Sequence, residues 1–219
     1  MKHAFILVAA LLLAACAKSA APVAITAPAG TYELDPYHSS VSFGINHIGL
    51  SNYVARFTKY KATLKLDPAN MAASSVAVTI DPTSIRTDFS GDFVGTHKGT
   101  PYKSFDEELA MSPKFLDAGK FPQITFNSTK VEQTASGKLR ITGDLNFHGQ
   151  THPVVLDASV VGSIEKHPFT QHGALGFSAT TQIKRSEFGM TEYLKPAILG
   201  DDVTLRFEGE FAQVVTPPV

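Results

Sequence analysis

The sequence predicts an all-β domain of antiparallel strands, and three observations lead to this prediction. First, apolar and polar residues alternate with a period of two from Thr31 onward. Second, Asp-Pro pairs and isolated glycines separate the alternating runs, as turn residues do. Third, 43% of the 219 residues are hydrophobic and 18% are charged, which is enough apolar material for a buried core. Such alternation leaves one face of a sheet buried and one in water, which is typical of antiparallel pairing.

The charge and the cysteine content exclude two classes of protein. The formal net charge is −1, and nucleic-acid binding normally requires a concentrated basic surface. The chain has one cysteine, which excludes a disulfide framework within the chain and any metal site built from several cysteines. We therefore expect no nucleic-acid partner.

The first residues are typical of a secretory signal. Lys2 precedes an uninterrupted apolar run, Ala4 to Ala15, which is shorter than the roughly 20 residues that a membrane-spanning helix needs. Residues 1–15 are therefore predicted to be a signal peptide.

The end of that run, Leu13-Ala14-Ala15-Cys16, resembles a bacterial lipobox. In a lipobox the cysteine thiol receives diacylglycerol, the signal is cut before the cysteine, and the new amine receives a fatty acyl chain such as palmitate. Cys16 is thus the predicted lipid attachment site, and acyl chains on it would anchor the protein in a membrane. Because Ala17 stands where inner-membrane lipoproteins usually have Asp, we expect the periplasmic face of the outer membrane. The alternative is a plain signal peptide with an incidental buried cysteine.

Residues 16–30 are rich in Ala and Pro without apolar periodicity, which predicts a flexible tether. Residues 31–213 form one predicted domain, because no repeat or composition shift divides them. Residues 214–219, with two prolines, are predicted to be a frayed tail.

Counting the alternating runs gives about eight strands, enough for a sandwich or a closed barrel. The pattern shows which face points inward only for the last run, where Val203, Leu205 and Phe207 alternate with charged or polar neighbours. One face of each strand should line the interior, and eight side chains are predicted to do so: Phe43, Ile45, Val78, Ile80, Phe126, Phe147, Phe177 and Phe207.

One segment, residues 88–120, interrupts the strand pattern. Ser112 before Pro113 is a favourable N-cap and first-turn pair, so one or two short helices are expected here. Its first part, residues 88–105, combines three glycines, Gly91, Gly95 and Gly99, with four aromatic residues, Phe89, Phe93, Tyr102 and Phe105. We expect it to cover or border the mouth of the barrel, either as a gate that opens or as a structural plug.

No catalytic motif is present: the chain lacks a Gly-x-Ser-x-Gly elbow, a Gly-rich phosphate loop and a His-Glu-x-x-His pair. The histidines show no regular ligand spacing, so no metal site is predicted. An enzyme acting on a lipid stays an alternative, with His38 or His47 near the mouth as a general base.

Several segments, taken in order, resemble the YceI-like family, the polyisoprenoid-binding proteins of bacterial periplasms. The resemblance begins with Tyr32-Glu33-Leu34-Asp35-Pro36-Tyr37-His38-Ser39 and His47-Ile48-Gly49-Leu50-Ser51. It continues through Ser84-Ile85-Arg86-Thr87, Phe121-Pro122-Gln123-Ile124-Thr125-Phe126 and Gly143-Asp144-Leu145-Asn146-Phe147-His148-Gly149. It ends with Lys184-Arg185-Ser186-Glu187-Phe188-Gly189-Met190 and Gly200-Asp201-Asp202-Val203.

This resemblance implies a single lipocalin-like antiparallel barrel with an apolar tunnel. It further implies a binding protein without a catalytic cofactor that holds an isoprenoid, an isoprenoid quinone or a fatty chain. An eight-stranded barrel has an interior wide enough for one slender ligand, but side chains alone can also fill it. A structural or envelope-stress lipoprotein with a solid barrel is therefore the second alternative. A homodimer is also compatible with the sequence.

Overall fold

The computed structural model of the protein describes residues 24–134 and 138–215. The predicted signal peptide, residues 1–15, and Cys16 lie outside the described residues. Within these two ranges the chain forms ten strands and two short α-helices. The strands are β1 (Gly30–His47), β2 (Ser51–Phe57), β3 (Tyr60–Leu66), β4 (Ser75–Ile80), β5 (Ile85–Arg86), β6 (Ile124–Gln133), β7 (Leu139–Phe147), β8 (Gln150–Ile164), β9 (Ala174–Lys184) and β10 (Leu199–Gln213). The helices are α1 (Phe93–Thr96) and α2 (Phe105–Met111).

Eight of the strands form a closed antiparallel barrel in the order β1, β3, β4, β6, β7, β8, β9 and β10, with β10 pairing back onto β1. This confirms the prediction of a single antiparallel barrel of about eight strands. The remaining two strands, β2 and β5, pair beside this barrel. β3 pairs with the first half of β1, whereas β2 pairs with its second half, and β5 pairs with β2.

The break between β2 and β3 is bridged by the side chain of Ser84, which is 1% exposed. Its Oγ accepts hydrogen bonds from the backbone amides of Thr58 (3.2 Å) and Lys59 (3.0 Å) and donates one to the carbonyl of Asp81 (2.7 Å). A buried amide without a partner is costly, and the Ser84 hydroxyl, with the Ser84 carbonyl 3.1 Å from the Thr58 amide, supplies partners at the break.

The two ends of the barrel differ in how they are closed. At the lower end, where β1 begins and β10 ends, Tyr32, Leu66, Leu139 and Leu175 form a buried cluster. Ala27 belongs to this cluster and Ile25 packs against it, while the amides of Thr26 and Ala27 each donate to Ser163 Oγ at 2.9 Å. Residues 25–27, which belong to the predicted flexible tether, are therefore held against the lower end.

The opposite end, which we call the upper end, includes the end of β1, the turn between β7 and β8, and the end of β9. Residues 88–120 cover this side, with Phe93, Ala110, Leu116 and Ala118 buried. The amide and Oγ of Thr87 donate to Asp106 Oδ1 at 2.9 and 2.7 Å and fix the segment to the wall. Within the described part of the chain, no helix is long and apolar enough to cross a membrane.

The segment contains two short helices, as expected, but the predicted start at Ser112 and Pro113 is wrong. Ser112 is the C-cap of α2, and its amide donates to the carbonyl of Glu108. The N-cap is Ser104, whose Oγ accepts a hydrogen bond from the amide of Glu107 at 3.1 Å. Both serines can cap a helix, and the acidic residues that favour a helix N-terminus follow Ser104.

Candidate functional site

Inside the barrel formed by the described residues lie a larger and a smaller cavity, each partly open to the outside. The larger has a volume of about 630 Å³ and occupies the upper half, and the smaller, of about 150 Å³, lies nearer the lower end. Aliphatic and aromatic side chains form most of both walls. The interior is therefore hollow, in contrast to the alternative of a solid barrel. The larger volume lies within the roughly 300–1,000 Å³ typical of small-molecule sites.

All eight side chains predicted to line the interior do so. Phe43, Ile45 and Phe147 line the large cavity. Val78, Phe126, Phe177 and Phe207 line the small one, and Ile80 lines both. The period-two pattern therefore grouped side chains that share a face of each strand, and these faces line the cavities.

The two cavities meet at a ring of four aliphatic side chains, which we call the waist: Val41, Ile80, Leu145 and Leu205. These residues come from β1, β4, β7 and β10. Because β1 and β10 are neighbouring strands, the four side chains approach the barrel axis from three sides. They line both cavities, and a slender chain that filled the interior would pass between them.

The Phe126 ring can take its place beside the small cavity only because the neighbouring strand has a glycine, Gly143, next to it. A Cβ on Gly143 would lie 2.4 Å from Phe126 Cζ and 2.5 Å from the carbonyl oxygen of Asn127. Real Cβ atoms do not approach so closely, so the strand position must be glycine for the ring to lie flat against the wall.

The segment 88–120 contributes a large part of the upper wall. Phe89, Phe105 and Leu109 line the large cavity together with Phe115 and Leu116. Phe105 is the centre of an aromatic group, with its ring centroid 5.7 Å from that of Phe89 and 6.2 Å from that of Tyr53. The expectation that this segment borders the interior is confirmed, whereas its action as a gate or a plug stays a prediction.

A few polar side chains also line the large cavity, and Arg185 is the most buried of them, with 5% of its surface exposed. Its guanidinium donates from Nε to the carbonyl of Gly200 (2.8 Å), from Nη1 to Met190 (2.8 Å) and from Nη2 to Leu199 (3.1 Å). Burial lowers the pKa of Arg185 below its ordinary value. Burial likewise raises the pKa of Tyr53.

The position of Arg185 follows from a tight turn at the end of β9. A single 3-10 turn, Arg185–Phe188, ends at Gly189, whose φ of +77° places it in the left-handed region. Asp201 fixes the turn by accepting from the amide and Oγ of Ser186 at 2.9 and 2.8 Å.

Comparison with known proteins identifies the family to which this hollow barrel belongs. A family model described as the YceI-like domain matches residues 32–211. The chain belongs to the YceI-like family. Protein YceI of Escherichia coli O157:H7 is 34% identical over 186 residues, which cover 84% of this chain and 88% of the E. coli protein.

Two solved structures have the same fold as this YceI-like chain. BcnA of Burkholderia cenocepacia superimposes with a TM-score of 0.66 at 24% identity, covering 81% of this chain and 98% of BcnA. A polyisoprenoid binding domain from Saccharophagus degradans superimposes with a TM-score of 0.58 at 11% identity, covering 84% of this chain and 98% of that domain. At such identities, these two likenesses show the fold alone.

The two histidines named for the enzyme alternative lie in different places in this YceI-like barrel. His47 lines the large cavity at the end of β1. His38 does not line either cavity, which corrects its expected place near the mouth. It lies in the irregular part of β1, where the chain bulges away from β10, and its side chain is 64% exposed.

His38 belongs instead to an outer-surface cluster with Asp35 and Glu210. Its Nδ1 lies 2.8 Å from Asp35 Oδ2 and 4.0 Å from Glu210 Oε2. The ligand atoms of the three side chains lie within 4.8 Å of one another. Neither carboxylate lines a cavity, so the cluster is separate from the interior site.

Sequence reasoning did not identify the waist or Arg185 as parts of the site. Val41, Leu145 and Leu205 follow the same alternation as the eight predicted residues, so the signal for them was present. Arg185 has no such signal, because its three carbonyl partners lie 5 to 15 positions away along the chain.

Proposed function

We propose that this protein binds one long-chain apolar lipid, an isoprenoid, an isoprenoid quinone or a fatty chain, inside its barrel. The observation that carries the proposal is the hollow apolar interior, about 630 Å³ above the waist and about 150 Å³ below it. The S. degradans protein of the same fold is a polyisoprenoid binding domain, which supports this ligand class.

The energetic argument requires no catalytic residue. Moving an apolar chain out of water contributes about 0.8 kcal/mol for each buried CH₂ group. A wall of side chains such as Phe43, Ile45 and Leu109 supplies the matching surface. Because the cavity already exists in the folded chain, little affinity is lost to rearrangement of the protein.

Native mass spectrometry of protein purified without added lipid tests the proposal. We expect a co-purified mass in the range of a long-chain lipid, and its identity names the ligand. Protein that carries no such mass, and that also fails to bind added prenyl alcohols or fatty acids in a fluorescence-displacement assay, would contradict the proposal.

A pair of substitutions on β10 makes the test specific to the cavity. Val203 lines the large cavity, whereas its neighbour Thr204 is exposed on the outer face. Val203→Trp should occupy cavity space and lower lipid affinity by at least about tenfold, because the larger side chain displaces part of the bound chain. Thr204→Trp should leave the affinity unchanged. Equal affinity in both variants would place the lipid elsewhere.

We also propose that the protein is held at the periplasmic face of the cell envelope through an acylated Cys16. The lipobox-like sequence before this cysteine supports this location. Cys16→Ser should move the protein from the membrane fraction to the soluble fraction or leave it with its signal attached. Unchanged fractionation would mean that Cys16 is not the anchor.

A further inference from the structure

The charged side chains that line the large cavity are all basic. The lining includes Lys114 and Arg185, and also His47 and His97. Among the residues that the structure describes, no Asp or Glu lines this cavity. Because Lys114 and Arg185 line this apolar cavity and no described carboxylate does, its wall favours a negatively charged group over a positively charged one.

Arg185 has capacity for a further partner. A guanidinium has five N–H donors, and the carbonyl oxygens of Met190, Leu199 and Gly200 take one bond from each nitrogen. One N–H on Nη1 and one on Nη2 are left for another acceptor. No carboxylate of the described residues lies within 4.0 Å of this guanidinium.

The two acidic residues whose charges act on Arg185 are already engaged by other groups. Asp201 is bound to Ser186 through both carboxylate oxygens, and Glu192 lies 3.6 Å from the Lys114 amine. Both raise the pKa of Arg185 through their charge, but burial has the larger effect and the net shift is downward. Removing a cation from water without an ion-pair partner is costly, and an anion brought to it would offset that cost.

We infer that the lipid of this barrel has an anionic head, a carboxylate or a phosphate, which lies against Arg185 with Lys114 nearby. The inference rests on the proposed function and names the chemical class of the ligand. A planar carboxylate and a tetrahedral phosphate each present two oxygens that two parallel N–H groups of a guanidinium can bind. The apolar chain then extends from Arg185 along the large cavity toward the waist.

Matched ligands that differ only in the head group test the inference on the unmodified chain. Oleate is compared with oleyl alcohol, and farnesyl phosphate with farnesol, by displacement of a fluorescent fatty probe below the micellar concentration. We expect each acidic lipid to bind at least about tenfold more tightly than its alcohol, the effect of one charge-assisted hydrogen bond. The acid that binds more tightly identifies the source of the negative charge.

The outcomes separate this inference from the proposed function. If the alcohols bind as tightly as the acids, or a neutral quinone binds more tightly than both, the anionic head is wrong and the lipid-binding function stands. If none of these lipids binds, the proposed function itself is wrong.

Substitutions identify the residues that bind the anionic head group of the lipid. Lys114→Gln should reduce the preference for acid over alcohol about threefold, because a partly exposed amine contributes less than a buried one. Lys184→Gln is the matched control, since Lys184 pairs with Asp202 on the outer surface and should not affect the preference. Arg185→Gln should abolish the preference while keeping alcohol affinity, with folding checked by circular dichroism. A folded Arg185→Gln variant that still prefers the acids would overturn the assignment of Arg185.

Discussion

Phe43 on β1 and Leu205 on β10 are direct cross-strand partners, yet they border different parts of the interior. Phe43 lines only the large cavity, whereas Leu205 also reaches the small one. Two positions along, Val41 borders both cavities and its partner Phe207 only the small one. The boundary between the cavities therefore crosses this strand pair diagonally, from Val41 to Leu205.

This boundary predicts control of chain length. Val41→Trp should close the waist and separate the small cavity from the large one. Short lipids that fit above the waist should keep their affinity, while lipids long enough to pass it should bind at least about tenfold more weakly. Affinities for a series of saturated fatty acids of increasing length measure this effect.

Ser40 provides the matched control, because it is exposed on the outer face of the same strand. Ser40→Trp should not change the dependence on chain length. A Val41→Trp variant with the same dependence as the unmodified protein would show that the ligand does not cross the waist.

The inward direction of the last strand predicts a large loss of stability for one substitution. Phe207 lines the small cavity, with its ring centroid 6.1 Å from that of Phe211. Phe207→Asp places a carboxylate among apolar groups and should lower the free energy of unfolding by roughly 3–5 kcal/mol. Urea denaturation measures the change, with the exposed Thr204→Asp as a control. A variant that unfolds at the same urea concentration as the unmodified protein contradicts the inward placement.

The segment 88–120 is expected to open locally as a gate. One of its attachments to the wall, the ion pair between Arg56 and Asp88 (2.9 Å), is largely exposed. In hydrogen exchange, amides from Phe93 to Leu109 should exchange faster than those of β9, and bound lipid should slow them. Exchange at the global unfolding rate, unaffected by lipid, would identify the segment as a fixed plug.

The surface pair of Asp35 and His38 predicts a pH dependence. The hydrogen bond from His38 to the Asp35 carboxylate raises the pKa of His38 above its ordinary value of 6.5, and the charges of Asp35 and Glu210 act in the same direction. The folded state thus favours protonated His38. This contribution to stability is complete below about pH 6.5 and is lost as the pH rises through the raised pKa.

An NMR titration of the His38 ring protons measures this pKa directly. Asp35→Asn should lower it, because the hydrogen-bonded negative charge is removed. Asp144→Asn, an exposed change on β7, should leave it unaltered. An unshifted His38 pKa in the Asp35→Asn variant would show that the pair does not form in solution.

The barrel could be predicted from the sequence because each strand repeats the same signal. Positions such as Phe177 and Phe207 alternate with polar neighbours, and a period of two determines which residues share a face. The helix start could not be predicted in the same way. Ser104 and Ser112 are both competent N-caps, and the helix that starts at Ser104 also carries Asp106, which binds Thr87 from a distant part of the chain.

The hollow interior and the buried Arg185 could not be predicted from the sequence, for a different reason. A filled barrel and a hollow one have the same alternation, since only the volumes of all inward side chains together distinguish them. Arg185 is an ordinary charged residue in the sequence, and its burial depends on the carbonyls of Met190, Leu199 and Gly200.

The contact of Thr26 and Ala27 with Ser163 fixes where the chain enters the barrel, and hence the orientation of an anchored molecule. The chain from Cys16 to Ile25 can extend at most about 30 Å. The 18 residues of β1, at the tilt usual for a barrel strand, span roughly 45 Å from the lower end to the upper end. An anchor at Cys16 would therefore keep the large cavity from facing the anchoring membrane head-on.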